Sequence, residues 1–223
     1  QVTTGQGLTL WSGSAFGKSS FPSSLYKRQE SLKKYGSTDE NMFFRGIAVS
    51  LAVKNFTLLA FYSSKKADAN ITDTLPSGIT IFSSFQQTGY HRTPAEIYDE
   101  NAISETALGS SLTYRNNWLK IGSTVVKYNY SGIKQPSDAL FRKFEFRGDR
   151  LVNAGLDYSL FFRKIQFYGE ISWGNNAMAT LNGIILKPHQ RILFSFLQRS
   201  YNPQYHARYA LSLIHISEPT RPY

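Results

Sequence analysis

Residues 152–162 read VNAGLDYSLFF. Val152, Ala154, Leu156, Tyr158, Leu160 and Phe162 share one parity; Asn153, Gly155, Asp157, Ser159 and Phe161 share the other. A period of two is the side-chain repeat of a β-strand, in which successive residues point to opposite faces of a sheet. The division of labour between the faces carries more information than the alternation. One face is bulky and apolar. The other is small and polar, with a carboxylate at Asp157, and it lacks the Lys and Glu that dot a wetted strand face.

The same division recurs along the chain. In FFRGIAVSLAV (43–53), Ile47, Val49, Leu51 and Val53 oppose Gly46, Ala48, Ser50 and Ala52. In ALGSSLTY (107–114), Leu108, Leu112 and Tyr114 oppose Ala107, Gly109, Ser111 and Thr113. In IQFYGEISW (165–173), Ile165, Phe167, Ile171 and Trp173 oppose Gln166, Tyr168, Glu170 and Ser172. FTLLAFYSS (56–64) and RILFSFLQRS (191–200) carry large apolar groups on both parities. Counting GLTLWS near Gly7, about nine strands are visible.

Short turn signals join these strands at one end: Lys54-Asn55, Arg115-Asn116-Asn117, Arg163-Lys164 and Lys187-Pro188-His189-Gln190. Asn in such positions can take the left-handed conformation that tight hairpins need. At the other end, 13–42, 65–106 and 131–150 are long and polar, and only Gly174-Asn175-Asn176 is short. Tight turns on one side, long loops on the other and strands of roughly nine to eleven residues are the pattern of an antiparallel outer-membrane-type β-barrel. The bulky face then meets lipid and the small face looks into the lumen. Lys120, Asp157, Gln166, Glu170 and Asn182 are the polar residues expected to face that lumen. Lys127 shares parity with the lipid face, close to a strand end where its stem can reach the head groups. Phe43, Phe44, Tyr62, Trp118, Tyr128, Phe162 and Trp173 lie near strand ends, where aromatic girdles form.

Composition agrees and excludes several chemistries. Charged residues are 18% of the chain, against about 25% in ordinary soluble domains, while aromatics reach 15%. There is no Cys, so disulfides and thiolate chemistry are excluded within these residues. No apolar run approaches the roughly 18 residues of a transmembrane helix. The net charge of +10 points to anionic neighbours. Basic residues of the long connections, among them Lys27, Arg28, Lys33, Lys34, Lys65, Lys66, Arg142, Lys143, Arg147 and Arg150, are the expected contacts for lipopolysaccharide phosphates or nucleic acid.

No catalytic signature emerges. GQGLTL has Leu10 where a dinucleotide fingerprint needs a third Gly, and GSAFGKS is one residue short of a phosphate loop. Gly5 and Gly7 read instead as a strand passing close to a neighbour. TGYHRTPAEIYDE (88–100) gathers His91 and Arg92 with Glu96, Asp99 and Glu100, making His91 and Arg92 the candidates for ligand binding on a loop. The bland reading, a loop whose polar groups satisfy each other, is favoured. No cofactor is expected, and the chain reads as non-enzymatic.

GQGLTLWSGSAFGKSS (5–20), STDENMFFRGIAVSL (37–51), FYSSKKADANITD (61–73) and TGYHRTPAEIYDENAISE (88–105) together carry a family resemblance. They resemble the β-rich region of large Gram-negative outer-membrane proteins that contain helix-hairpin-helix domains. The resemblance implies an outer-membrane location, a bilayer and lipopolysaccharide as surroundings, and DNA binding through a helix-hairpin-helix domain absent from these residues. The expected function is solute passage, surface binding or anchoring at the outer membrane, and two others stay open: a membrane component of DNA uptake, and a soluble ligand-binding β-barrel. Finally, LSLIHISEPTR at the start of 211–223 resembles the translation of a transposon-end adapter used in sequencing libraries. The barrel segment is therefore expected over 1–210, with 211–223 a non-native tail. Gln1 in place of Met, with no leader-like stretch after it, gives the expectation of an internal fragment of a longer protein.

Overall fold

The computed structural model describes residues 1–11, 26, 31–32, 43–86 and 91–210. Within them the chain is all-β and antiparallel, as its alternation predicts. In chain order the strands are β1 (Val2–Thr3), β2 (Ser31–Leu32), β3 (Gly46–Val53), β4 (Phe56–Ala67), β5 (Ala69–Thr74) and β6 (Thr80–Phe85). A short helix α1 (Pro94–Tyr98) precedes β7 (Ile103–Arg115), β8 (Leu119–Lys134), β9 (Gly148–Phe162), β10 (Ile165–Gly174), β11 (Ala177–His189) and β12 (Ile192–Tyr201). The principal sheet runs β12-β11-β10-β9-β8-β7-β4-β3, and its two terminal strands each pair on one side. The described sheet is therefore open. The expected ninth strand near Gly7 is not one: that stretch is a looped segment tied to the sheet by its amides, bridged only from Trp11 to Thr3.

Hairpins at one end are tight, but by varied means. Lys54 and Arg163, not their neighbours, carry the positive φ of their two-residue turns (51° each). Asn116 works through its side chain, whose Oδ1 accepts from the amides of Trp118 (3.0 Å) and Leu119 (2.7 Å). Asn175 and Asn176, at the opposite end, are both left-handed, at 53° and 59°. That pair fits the mirror-image turn that matches the twist of flanking strands.

The long connections hold more structure than their polarity suggests. β4 and β8 continue to Ala67 and Lys134, beyond the expected start of each loop. The β5–β6 hairpin joins the end of β8 in parallel through Ile81↔Ile133 and Phe82↔Lys134. In α1, Thr93 and Glu96 form a reciprocal capping box with Pro94 in the first turn.

The two faces differ as the sequence requires. Ile47, Leu108, Val152 and Leu156 lie on the exposed face, at 73%, 60%, 50% and 50% exposure. Leu59, Phe61, Ser111, Thr124, Asn153 and Ser172 lie buried on the other. Strand register aligns these features. The outer row Ile47–Tyr62–Leu108–Lys127–Val152 crosses five strands. Directly beyond it toward the long connections comes Ser64–Thr106–Asn129–Arg150, which is wholly polar. Apart from Lys127, the outer face thus changes from apolar to polar within one register step. At the β11–β12 edge it is polar earlier, at Asn182↔Gln198 and Thr180↔Ser200.

Of the aromatics expected near strand ends, Tyr62, Trp118, Phe162 and Trp173 are on the exposed face. Tyr128 is not: its even parity in β8 turns it to the enclosed face, where it is fully buried. Phe44 likewise packs inward, with ring centroids 5.0 Å from Phe61 and 4.7 Å from Tyr209.

Candidate functional site

The enclosed face is covered by both terminal parts of the described chain. Residues 1–11 form a strap across β10. Gly5 and Gly7 take positive φ (55° and 91°), a backbone that L side chains rarely adopt, and the turn they create aims three amides at one carboxylate. Glu170 accepts from Gln6 N at 2.6 Å, Leu8 N at 3.0 Å and Thr9 N at 2.8 Å. A buried carboxylate demands donors, and converging amides supply them without a counter-charge. The strap lies so close to the sheet that a Cβ on Gly155 would fall 1.9 Å from Thr9 Oγ1. Gly5 and Gly7 are thus turn formers, not strand glycines.

Residues 202–210 lock the strap from the other side. Tyr205 donates its hydroxyl to Leu8 O at 2.8 Å and stands 2.7 Å from Ser172 Oγ. Trp11 N donates to Tyr209 O at 2.8 Å. Arg208 Nε donates to Glu105 Oε2 at 2.9 Å, and the Tyr209 hydroxyl donates to the other oxygen of that carboxylate. The Arg208 guanidinium also lies 3.9 Å from the centre of the Phe85 ring. None of Glu105, Tyr205, Arg208 and Tyr209 is singled out by sequence motifs, because NPQYHARYA lacks periodicity. One signal was available: Glu105 and Glu170 sit at enclosed-face positions, and their carboxylates need partners from outside the strands.

Of the five expected lumen residues, four lie on the enclosed parity. Lys120 and Asp157 pair at 3.1 Å, with side chains only 2% and 5% exposed. Glu170 holds the strap. Gln166 shares that parity, and its amide nitrogen is enclosed with no hydrogen-bond partner among the described residues. Asn182 corrects the expectation. It pairs with Gly169, whose row continues to Tyr158 on the outer face. There its Oδ1 accepts from the Tyr158 hydroxyl at 2.9 Å, across the space left by Gly169.

His91 and Arg92 do not converge on a common site. His91 Nε2 is 3.2 Å from Asp68, whereas the Arg92 amide and guanidinium both turn to Glu96, at 2.7 Å and 3.7 Å. Asp99 accepts from Ile71 N and Gln86 Nε2. These polar groups satisfy each other and the backbone, and no metal-binding group of three His, Cys, Asp or Glu occurs among the described residues. Lys65, expected in an outer loop, is buried on the enclosed face, 4.8 Å from the centre of the Phe43 ring. Arg142, Arg147 and Arg150 pair with Glu145, Asp138 and Asp149 near the long connections. Lys27, Arg28, Lys33 and Lys34 lie outside the described residues, as does 211–223.

Compared with the profiles of known protein families, with characterised proteins and with solved structures, the chain matches none.

Proposed function

We propose that this chain forms wall of an outer-membrane β-barrel, and that it serves in anchoring or surface binding without enzymatic chemistry. The observation that carries this reading is the inverted pair of faces. Bulky apolar side chains stand exposed across β3 to β10, while an ion pair, a strapped carboxylate and small residues are enclosed. In water such an arrangement leaves a row of bulky apolar side chains uncovered across neighbouring strands, the kind of contiguous apolar patch that marks a contact with lipid or a partner. In a bilayer it is the expected order, because hydrocarbon solvates the outer face. Along β9, Val152 to Phe162 extends roughly 33 Å at about 3.3 Å per residue. Tilted by about 45°, that is close to the roughly 25 Å apolar band of such barrels.

Within this reading the filled interior favours anchoring or binding over open passage. The strap and residues 202–210 occupy the face that would otherwise line a channel, and Leu8, Leu10, Tyr205 and Tyr209 are buried there. Lipopolysaccharide and bilayer lipid are the partners proposed, with the long connections facing outward. The test is folding into preformed phosphatidylcholine vesicles, followed by flotation and electrophoresis without boiling. The expected result is co-flotation, resistance to carbonate extraction and a migration that changes on heating. Chain that stays folded, monomeric and soluble without detergent or lipid contradicts the reading and supports a soluble ligand-binding β-barrel.

A further inference from the structure

From the outer face we infer a binding site for an anionic, phosphate-bearing lipid at the step between β9 and the β10–β11 hairpin. The inference rests on the membrane reading above and deepens it.

The step arises from strand lengths. β9 pairs with β10 only as far as Asn153↔Gly174, where β10 turns back through Asn175 and Asn176. Residues 148–152 of β9 rise beyond that turn. The result is a groove of about 540 Å³ lined by Arg150, Val152, Ala154, Trp173, Asn175 and Asn176. Its floor is apolar, because Ala154 pairs with Trp173 on one side and Val125 on the other, so a small side chain sits between two large ones. Arg150 places a cation on its rim, and Lys127, on the β8 side of β9, stands beside the groove without lining it. Lys127 is directly across from Val152, and Arg150 follows one step further along the same face of β9. Such diagonal neighbours are roughly 7–8 Å apart, close enough for both to reach one phosphate.

This order, apolar floor below and two cations above, is that of an acyl chain ending in an anionic head group. Trp173 stands at the junction, where an indole is favoured between hydrocarbon and water. Arg offers a planar fork suited to phosphate oxygens, and the Asn side chains add amide donors. Of the carboxylates within β9 and β10, Asp157 and Glu170 face the opposite way. One carboxylate does compete: Asp149 Oδ2 is 3.5 Å from Arg150 Nε. Both partners are mostly exposed, at 70% and 53%, and a pair so exposed is weak enough to exchange for a lipid phosphate.

The experiment uses the chain's own Trp residues in phosphatidylcholine vesicles. One variant, Trp11→Phe/Trp118→Phe, retains Trp173; another, Trp11→Phe/Trp173→Phe, retains Trp118 at the tight-turn end. Each is titrated with acyl-brominated phosphatidylcholine and, separately, acyl-brominated phosphatidylglycerol at equal mole fraction. Trp118 is expected to be quenched equally by both lipids. Trp173 is expected to show about five-fold steeper quenching by phosphatidylglycerol, the factor equivalent to about 1 kcal/mol for one basic residue at a membrane surface. Lys127→Ser/Arg150→Ser in the Trp173 background should bring the two slopes together, while Arg163→Ser/Lys164→Ser at the far end should leave the preference intact. Equal quenching of Trp173 by both lipids overturns the site and leaves the membrane reading standing. So does a preference that survives Lys127→Ser/Arg150→Ser, or one that Arg163→Ser/Lys164→Ser removes equally. If brominated phosphatidylcholine quenches neither Trp, the membrane reading falls and the site with it.

Discussion

Lys120 and Asp157 hold the least forgiving contact on the enclosed face. Gly122 is paired with Asp157, and a Cβ there would lie 2.3 Å from the carboxylate oxygen, so the absent side chain gives the carboxylate its place. Both charged groups are nearly solvent-free, which makes either one costly without the other. Lys120→Met alone should destabilise the folded state by about 3–5 kcal/mol, because a buried carboxylate is left unpaired. The double variant Lys120→Met/Asp157→Leu should recover most of that loss, since an apolar pair of similar volume removes the desolvation penalty as well. Reversible urea unfolding in lipid or detergent, arranged as a double-mutant cycle, measures both. Additive losses would show that the two side chains are not coupled. Glu170 illustrates a different solution at the same scale: three amides of the strap replace a cation, so the carboxylate is tied to chain conformation and not to charge alone.

At the scale of the strand, the outer band has a sharp end. Leu156 lies within the apolar rows, paired with Ile171 and Ser123, whereas Thr106 lies in the polar row with Ser64 and Asn129. Arg substituted for Leu156 should cost about 2–4 kcal/mol, and Arg for Thr106 about 0–1 kcal/mol, as expected for the midplane and boundary of a bilayer. Urea titration of folding into vesicles measures the difference. In water both are surface changes worth about 0.5 kcal/mol or less, so equal small effects would contradict the lipid-facing band. Period two made these strands legible, because a face bathed by one medium leaves a regular mark on every second residue. It also assigned Lys120, Asp157, Gln166 and Glu170 to the enclosed side. Asn182 escaped this logic, because polarity suggested an inward position while parity, with Leu181 and Gly183 buried on either side, turned it out. Its cost there is met locally by Tyr158. Tyr128 failed the other way, since an aromatic near a strand end reads as a girdle residue until parity is counted.

On the scale of the whole molecule, the least legible feature is the filling of the enclosed face. Residues 1–11 and 202–210 have no periodicity, since they lie outside the principal sheet and are placed by hydrogen bonds to far-off partners such as Glu170 and Glu105. Contacts separated by most of the chain leave no local pattern to read. Which medium touches the outer face decides what the whole molecule is. Nitroxide labels placed singly from position 152 to 162, in chain folded into vesicles, measure this through their accessibility to oxygen and to a water-soluble nickel complex. The prediction is oxygen accessibility that alternates along β9, high at 152, 156 and 160 and low at 153, 157 and 159, with little nickel accessibility at 156. High nickel accessibility at 152, 156 and 160 together would put water against the bulky face, and the membrane-wall account would be wrong.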